Sequence, residues 1–176
     1  MTRSAALIAF VLAALGTGCS SPTPSNPANP TTATTATAAA AAPRPVVHDG
    51  RAIEITGNDT MKFSVTEIKA KPGEKLSVTL VNIGTTPKFS MGHNWLLLAP
   101  GVEIQPFLVK SAEAVTTDYV PVAAYPDTIL AYTKLLGPKE RDTATFAAPT
   151  TPGRYEFLCS FPGHFQVGMR GVLIVE

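Results

Sequence analysis

Apolar and polar positions alternate in short runs over most of the chain. "IEITGND", "MKFSVTEIKA" and "KLSVTLVNIG" are β-rich and partly alternating, and turn signals at Gly57-Asn58-Asp59 and Lys71-Pro72-Gly73 separate them. "HNWLLLAPG" adds an apolar run, and "TATFAAP", "GRYEFLCSF" and "RGVLIVE" follow with Pro or Gly between them. Several short strands at this spacing predict an all-β fold, an antiparallel sandwich or Greek-key barrel. The stretch from Val102 to Pro126 breaks the pattern. Its "EIQPFLVKSAEAVTTDYV" predicts a short helix around Phe107 to Val115, a small helical flap outside the sheets. No internal repeat is evident.

The N-terminus follows a different pattern. "MTRSAALIAFVLAALGTGC" has a basic Arg3, an apolar run from Ala5 to Leu15 and small residues leading to Cys19. The run is too short to cross a bilayer, so residues 1–19 read as an export signal. A cysteine after small residues resembles the lipobox of bacterial lipoproteins, although Gly16 stands where leucine is usual and Leu15 lies one position earlier. Cys19 is therefore expected to carry lipid. The alternative is simple cleavage nearby, which would leave a soluble periplasmic protein. Each buried acyl methylene contributes roughly 0.8 kcal/mol, so a multiply acylated Cys19 would hold the protein on a membrane. Residues 20–45 contain no aromatic or branched aliphatic side chain and many Pro, Thr and Ala, which predicts a disordered tether. The folded domain is expected over residues 46–176.

Charge narrows the picture only slightly. A formal net charge of +1 gives no ground for nucleic-acid binding or for strong attraction to an anionic membrane. Cysteine usage says more, because the chain has two. If Cys19 is lipidated, Cys159 has no disulfide partner in an oxidising compartment, and a metal ligand is one protected state for such a thiol.

In "FLCSFPGHFQVGMRG" the spacing is Cys-x4-His-x4-Met, bringing Cys159, His164 and Met169 onto one loop. Thiolate, imidazole and thioether together suit a polarizable redox metal. A second histidine must come from elsewhere. His48 lies at the margin of the tether, whereas His93 starts the apolar run in "SMGHNWLLL", where a sheet can hold it still. Two imidazoles and a thiolate in a trigonal plane, with an axial methionine, form the donor set of one type 1, or blue, copper ion. Taken singly, Met169 reads as core filler, His93 as a half-buried histidine and Cys159 as a small hydrophobe. Structural zinc avoids thioether and catalytic zinc needs an open position. A dinuclear copper centre needs two cysteines on the loop, and a cysteine protease needs an oxyanion site that cannot be identified.

These motifs resemble the cupredoxin family, in particular its azurins and auracyanins. The resemblance runs from "IEITGNDTMKFSV" through "PKFSMGHNWLLL", "TDYVP" and "ILAYTKLLGPKERDTATF" to "YEFLCSFPGHFQVGMRGVLIV". It implies an eight-stranded Greek-key β-sandwich with copper near one end, under loops, and a helical flap inserted mid-chain. It implies His93, Cys159 and His164 as equatorial ligands, Met169 as the axial one, and a weak contact from the Gly92 carbonyl opposite. Asn94 would brace the first ligand strand to the cysteine loop, with Ser160 and Phe161 beside the ligands, and Trp95 would lie in the core. Three departures stand out. Gly168 gives the longer, auracyanin-like spacing before the methionine, the N-terminal azurin disulfide cannot form, and Tyr132 replaces a histidine usual in azurin.

The implied function is one-electron transfer at the cell envelope, without enzymatic chemistry. Redox proteins are expected to dock transiently on an apolar patch of Met91, Pro162, Phe165 and Val167 around an emerging edge of His164. Phe165 merely covering the loop is the alternative there. A different class of function is copper storage or delivery, and a nitrite reductase would need a second metal site with more histidines. The expected location is outside the cytoplasm, on the periplasmic side or cell surface, held to a membrane through Cys19.

Overall fold

The computed structural model describes residues 50–176; the expected signal, Cys19, residues 20–45 and His48 lie outside the described residues. Strands β1 (Arg51–Gly57), β2 (Glu67–Ala70) and β3 (Lys75–Asn82) follow one another. The Lys71-Pro72-Gly73 turn joins the last two, with Gly73 at φ +72°, a conformation that costs glycine least. One helical turn, α1 (Lys88–Met91), then precedes β4 (Leu96–Leu98). Helix α2 (Ile104–Glu113) and a 3₁₀ turn (Val115–Thr117) form the flap, and β5 (Ile129–Tyr132), β6 (Arg141–Ala147), β7 (Gly153–Leu158) and β8 (Arg170–Val175) complete the described residues.

The strands form two sheets, ordered β1-β3-β6 and β2-β8-β7-β4-β5. This is the all-β sandwich with a helical insert that the sequence predicts. The pairing differs from the antiparallel expectation in two places, since β1 runs parallel to β3 and β2 parallel to β8. The cause is β2, which lies in the opposite sheet, so the chain reverses twice between β1 and β3. Other differences are local. Only the last four residues of "MKFSVTEIKA" are strand, and α1 was not foreseen. Helix α2 starts three residues earlier than expected because Pro106 falls in its first turn, where a missing N–H breaks no bond.

The apolar run Trp95 to Leu98 is buried throughout because both faces of β4 are covered. Trp95 and Leu97 point into the main core between the sheets. Leu96 and Leu98 point outward into a second cluster with Phe107 of α2, Val120, Leu158 and Phe165. The flap is therefore the outer layer over β4 and β7, and it covers the strand ends that carry the ligand loop. In the main core the Phe157 ring lies 5.9 Å from that of Phe63 and 5.6 Å from that of Trp95.

Trp95 is the sole tryptophan, it is fully buried, and its indole N–H has no hydrogen-bond partner. In so apolar a setting its emission should lie near the blue limit for indole and move red on unfolding. Replacing Phe157 with Ala removes a fully buried ring at the centre of this cluster and should destabilise the domain by about 3–5 kcal/mol. Urea titrations followed by that emission measure the loss, and a change under 1 kcal/mol would contradict the packing described.

Candidate metal centre

The two distant segments meet at one end of the sandwich. His93 stands between α1 and β4, and its backbone exchanges two hydrogen bonds with Leu136, at 3.1 and 2.7 Å. Asn82 Nδ2 donates to the same Leu136 carbonyl at 3.0 Å, so the histidine rests on a fixed bridge rather than a free loop. Cys159 directly follows β7 and Met169 directly precedes β8. The Cys159 N–H donates to the Met169 carbonyl at 3.0 Å, which closes the loop at its base. Within it, His164 N–H donates to Phe161 O at 3.1 Å and Met169 N–H to His164 O at 3.0 Å. Gly163 at φ +86° and Gly168 at φ +95° supply the two left-handed turns that fold His164 back over the cysteine.

The donor atoms of His93, Cys159 and His164 all lie within 4.8 Å of one another. Nδ1 of His93 faces Nδ1 of His164 at 3.2 Å, and Sγ of Cys159 lies 3.4 Å from the latter. His93, Cys159 and Met169 are fully buried and His164 is 2% exposed. Burial also sets their protonation. It pushes His164 from 6.5 down to about 4, with His93 beside it adding to the fall. His93 is lowered too, by burial, against upward pulls from the Asn58 backbone and the Asp59 carboxylate. The Cys159 thiol is pushed from 9.0 up to about 12 by burial, opposed by the backbones of Asn94 and Phe161. The imidazoles are thus held neutral with their Nδ1 atoms turned toward one another and, for His164, toward the sulfur, and the thiol yields its proton only to a cation that replaces it. A soft cation with two nitrogen ligands and one sulfur ligand fits this donor set, and copper is such an ion.

Asn94 ties the segments together. Its Oδ1 accepts the Ser160 backbone N–H at 2.8 Å, and its Nδ2 donates to Ser160 Oγ and to Asp118 O, both at 2.8 Å. Ser160 Oγ in turn donates to Tyr119 O at 2.7 Å. Asp118 and Tyr119 are left-handed at φ 58° and 62°, so the brace also holds the strained end of the flap. Phe161 fills the space behind, with its ring 4.7 Å from that of His164 and 5.0 Å from that of Tyr119.

Gly92 is confined sterically, since a Cβ there would stand 2.7 Å from the Lys88 carbonyl oxygen and 2.8 Å from Leu135 Cγ. Gly57, which reads in sequence only as a turn signal, borders the site. A Cβ on it would stand 2.8 Å from the Met169 terminal methyl carbon and 3.2 Å from the His93 ring. Nothing in the local sequence distinguishes it from any other turn glycine.

The expected docking residues divide. Pro162 and Val167 are exposed and Met91 is half-buried. Phe165 is not part of a surface patch: at 7% exposure it lies inward against the flap, with the Arg170 guanidinium 4.6 Å above its ring. The chain turns it in because the second cluster over β4 and β7 offers it apolar cover that solvent does not. The His164 ring is likewise covered rather than emergent. Phe89 of α1, unremarked in the sequence, is instead 83% exposed.

The depressed His164 pKa makes the stability of the metal-free domain depend on pH. Below 6.5 the unfolded chain binds a proton that the folded state refuses until about 4, so stability is full above pH 6.5 and falls as pH drops. The urea midpoint of metal-free protein should therefore fall between pH 7.5 and pH 5. His164→Asn should flatten that slope, and an equally steep slope in the variant would contradict the assignment.

Comparison with known proteins accords with this geometry. The family model for copper binding proteins of the plastocyanin/azurin family matches residues 51–176. Outer membrane protein H.8 of Neisseria gonorrhoeae is 35% identical over 129 residues, covering 71% of this chain and 68% of that protein. Azurin of Pseudomonas denitrificans is 34% identical over 128 residues, covering 71% of this chain and 98% of that one. Among solved structures, dithionite-reduced auracyanin from Roseiflexus castenholzii superposes with a TM-score of 0.61 at 32% identity, over 71% of this chain and 96% of that one. Auracyanin A from Chloroflexus aurantiacus gives 0.63 at 28% identity, over 71% and 98%.

Proposed function

The chain belongs to the plastocyanin/azurin family of copper-binding proteins, and we propose that His93, Cys159 and His164 form the equatorial plane of its copper site, with Met169 on the axis. The protein is a type 1 blue copper electron carrier with one copper ion, and it passes electrons to and from redox partners rather than acting as an enzyme. The observation that carries this reading is the convergence of three buried soft and borderline donors, from segments on either side of the flap, within 4.8 Å.

When bound, copper supplies a one-electron couple between Cu(I) and Cu(II). The chain's part is to keep the donors still. The Leu136 bridge, the Asn94 brace and the base of the ligand loop fix them by hydrogen bonds that none of the donor atoms takes part in. Near-complete burial keeps water from adding a further ligand. The Gly92 carbonyl, one residue before His93, would be a further weak donor to the bound ion. Burial of this degree also argues against a delivery role, which needs an ion that leaves easily.

Partners dock, in this reading, on Met91, Pro162 and Val167 around His164, without Phe165. A small apolar face of this kind gives the low affinity and fast release that a carrier requires.

We infer that the protein is exported and works at the cell envelope, a reading that the likeness to outer membrane protein H.8 supports. Residues 1–19 are assigned as the signal, Cys19 as the lipid-bearing residue, residues 20–45 as tether and residues 46–176 as the copper domain. Strand β1 runs toward the metal end of the copper domain. Its last residue, Gly57, borders Met169, and its first, Arg51, lies six residues back, roughly 20 Å from the metal end.

Copper-loaded domain should show an intense thiolate-to-Cu(II) absorption at red wavelengths that bleaches on reduction, and Cys159→Ser should abolish it. A colourless wild-type complex would favour storage, and colour surviving in the variant would refute the ligand assignment. For the anchor, mass spectrometry of the mature N-terminus should find acyl chains on Cys19; an unmodified cysteine, or an N-terminus beyond it, excludes the lipid.

A further inference from the structure

The loop between β1 and β2 reaches across to the ligand loop through one long side chain. After the Asn58-Asp59-Thr60 turn, Met61 takes a left-handed φ of 55°, with its N–H bonded to Asn58 O at 2.9 Å. Phe63 is buried and bridges Gly57, and Ser64 N–H donates to Thr56 O at 2.9 Å, so the backbone on both sides of Lys62 is anchored. From this stem Lys62 Nζ donates to the carbonyl of Val167, 105 residues away. It lies so close over the next residue that a Cβ on Gly168 would stand 2.7 Å from the ammonium nitrogen.

This contact adds a tie from outside to a stretch of the ligand loop that is otherwise held only by the loop's own bonds, Gly168 N–H to Phe165 O at 2.9 Å and Arg170 N–H to Gly168 O at 3.0 Å. The β7 and β8 ladder begins only at Leu158 and Arg170, so residues 159–169 lie beyond it. Gly168 lengthens the interval between His164 and Met169, and its φ of +95° keeps it free of a side chain. Gly57, at the end of β1, leaves room for the Met169 methyl group, which a Cβ there would approach to 2.8 Å. Residues 57–62 thus border the side chain of Met169 at Gly57 and contact the backbone leading to it at Lys62.

We propose that Lys62 is a positioning residue for the Met169 thioether: its ammonium latches the Val167-Gly168 peptide and so sets how closely the sulfur approaches the metal. The inference rests on the copper reading above. It makes the axial distance depend on a surface cation contributed from the far end of the chain, and the axial ligand tunes the potential of such sites. Arginine preserves the latch because it keeps a charged donor of similar reach, whereas methionine keeps only the stem.

The test compares wild type, Lys62→Met and Lys62→Arg. In metal-free protein, amide exchange at Met169, whose N–H is bonded to His164 O, should be about tenfold faster in Lys62→Met, with Leu80 in β3 unchanged. In copper-loaded protein the same variant should shift the reduction potential and change the relative intensities of the thiolate absorption bands, and Lys62→Arg should restore both. A Lys62→Met protein matching wild type in exchange, potential and spectrum overturns the latch, as does acceleration spread equally to Leu80. A wild-type copper complex lacking the thiolate band overturns the copper reading instead, a failure visible before any variant is made.

Discussion

Asn94 uses its whole side-chain amide to join two parts of the chain that are 66 positions apart. Its carbonyl oxygen takes the backbone N–H of Ser160, and its amide nitrogen reaches both the Ser160 hydroxyl and the Asp118 carbonyl. Asn94 and Ser160 are almost completely buried, so each of these groups would lack water as well as a partner if the amide were lost. An unsatisfied buried group costs about 1–3 kcal/mol, so these bonds strongly favour one relative placement of the segments. His93 and Cys159 each sit one residue from that junction. Their convergence is a consequence of the brace more than of any attraction between themselves.

Without a cation such a cluster is electrostatically quiet. Burial keeps both rings neutral and the thiol protonated, and no carboxylate is among the three converging donors. The fold therefore presents lone pairs to a site that water barely reaches, and the two layers of apolar packing account for that dryness. Phe157, Trp95 and Phe63 seal it from the inside of the sandwich, while Phe165, Phe107 and Leu158 seal the outer face beneath the flap. Phe165 belongs to this seal, which is why it is unavailable for docking. The flap is joined to the site by polar contacts as well, because Ser160 passes the Asn94 brace on to Tyr119.

Much of the site was legible in the sequence. Cys159, His164 and Met169 lie on one short loop, and a donor's chemistry belongs to the side chain wherever the chain later puts it. The choice of His93 over His48 followed from its apolar neighbours, and the buried run Trp95 to Leu98 reports a strand covered on both faces. The alternation in β1 and β3 was equally local, since a period of two is written in adjacent residues. The other features had no such local record. Whether β1 runs parallel to β3 depends on where β2 goes, and β2 pairs with β8, about a hundred residues away. Phe165 could have faced solvent or core, and only the arrival of Phe107 and Val120 over β7 decided it. Gly57 looks like an ordinary turn glycine, and Lys62 like a polar position in a β-rich run, until the C-terminal loop folds against them. Sequence by itself determined which donors the chain offers and where most of the strands lie, though not β5 or the short extent of β2, because donor chemistry and a period of two are set by individual side chains and their immediate neighbours. Tertiary structure alone decided which of the remaining residues touch the site, because contact between distant segments is fixed by packing the whole core at once.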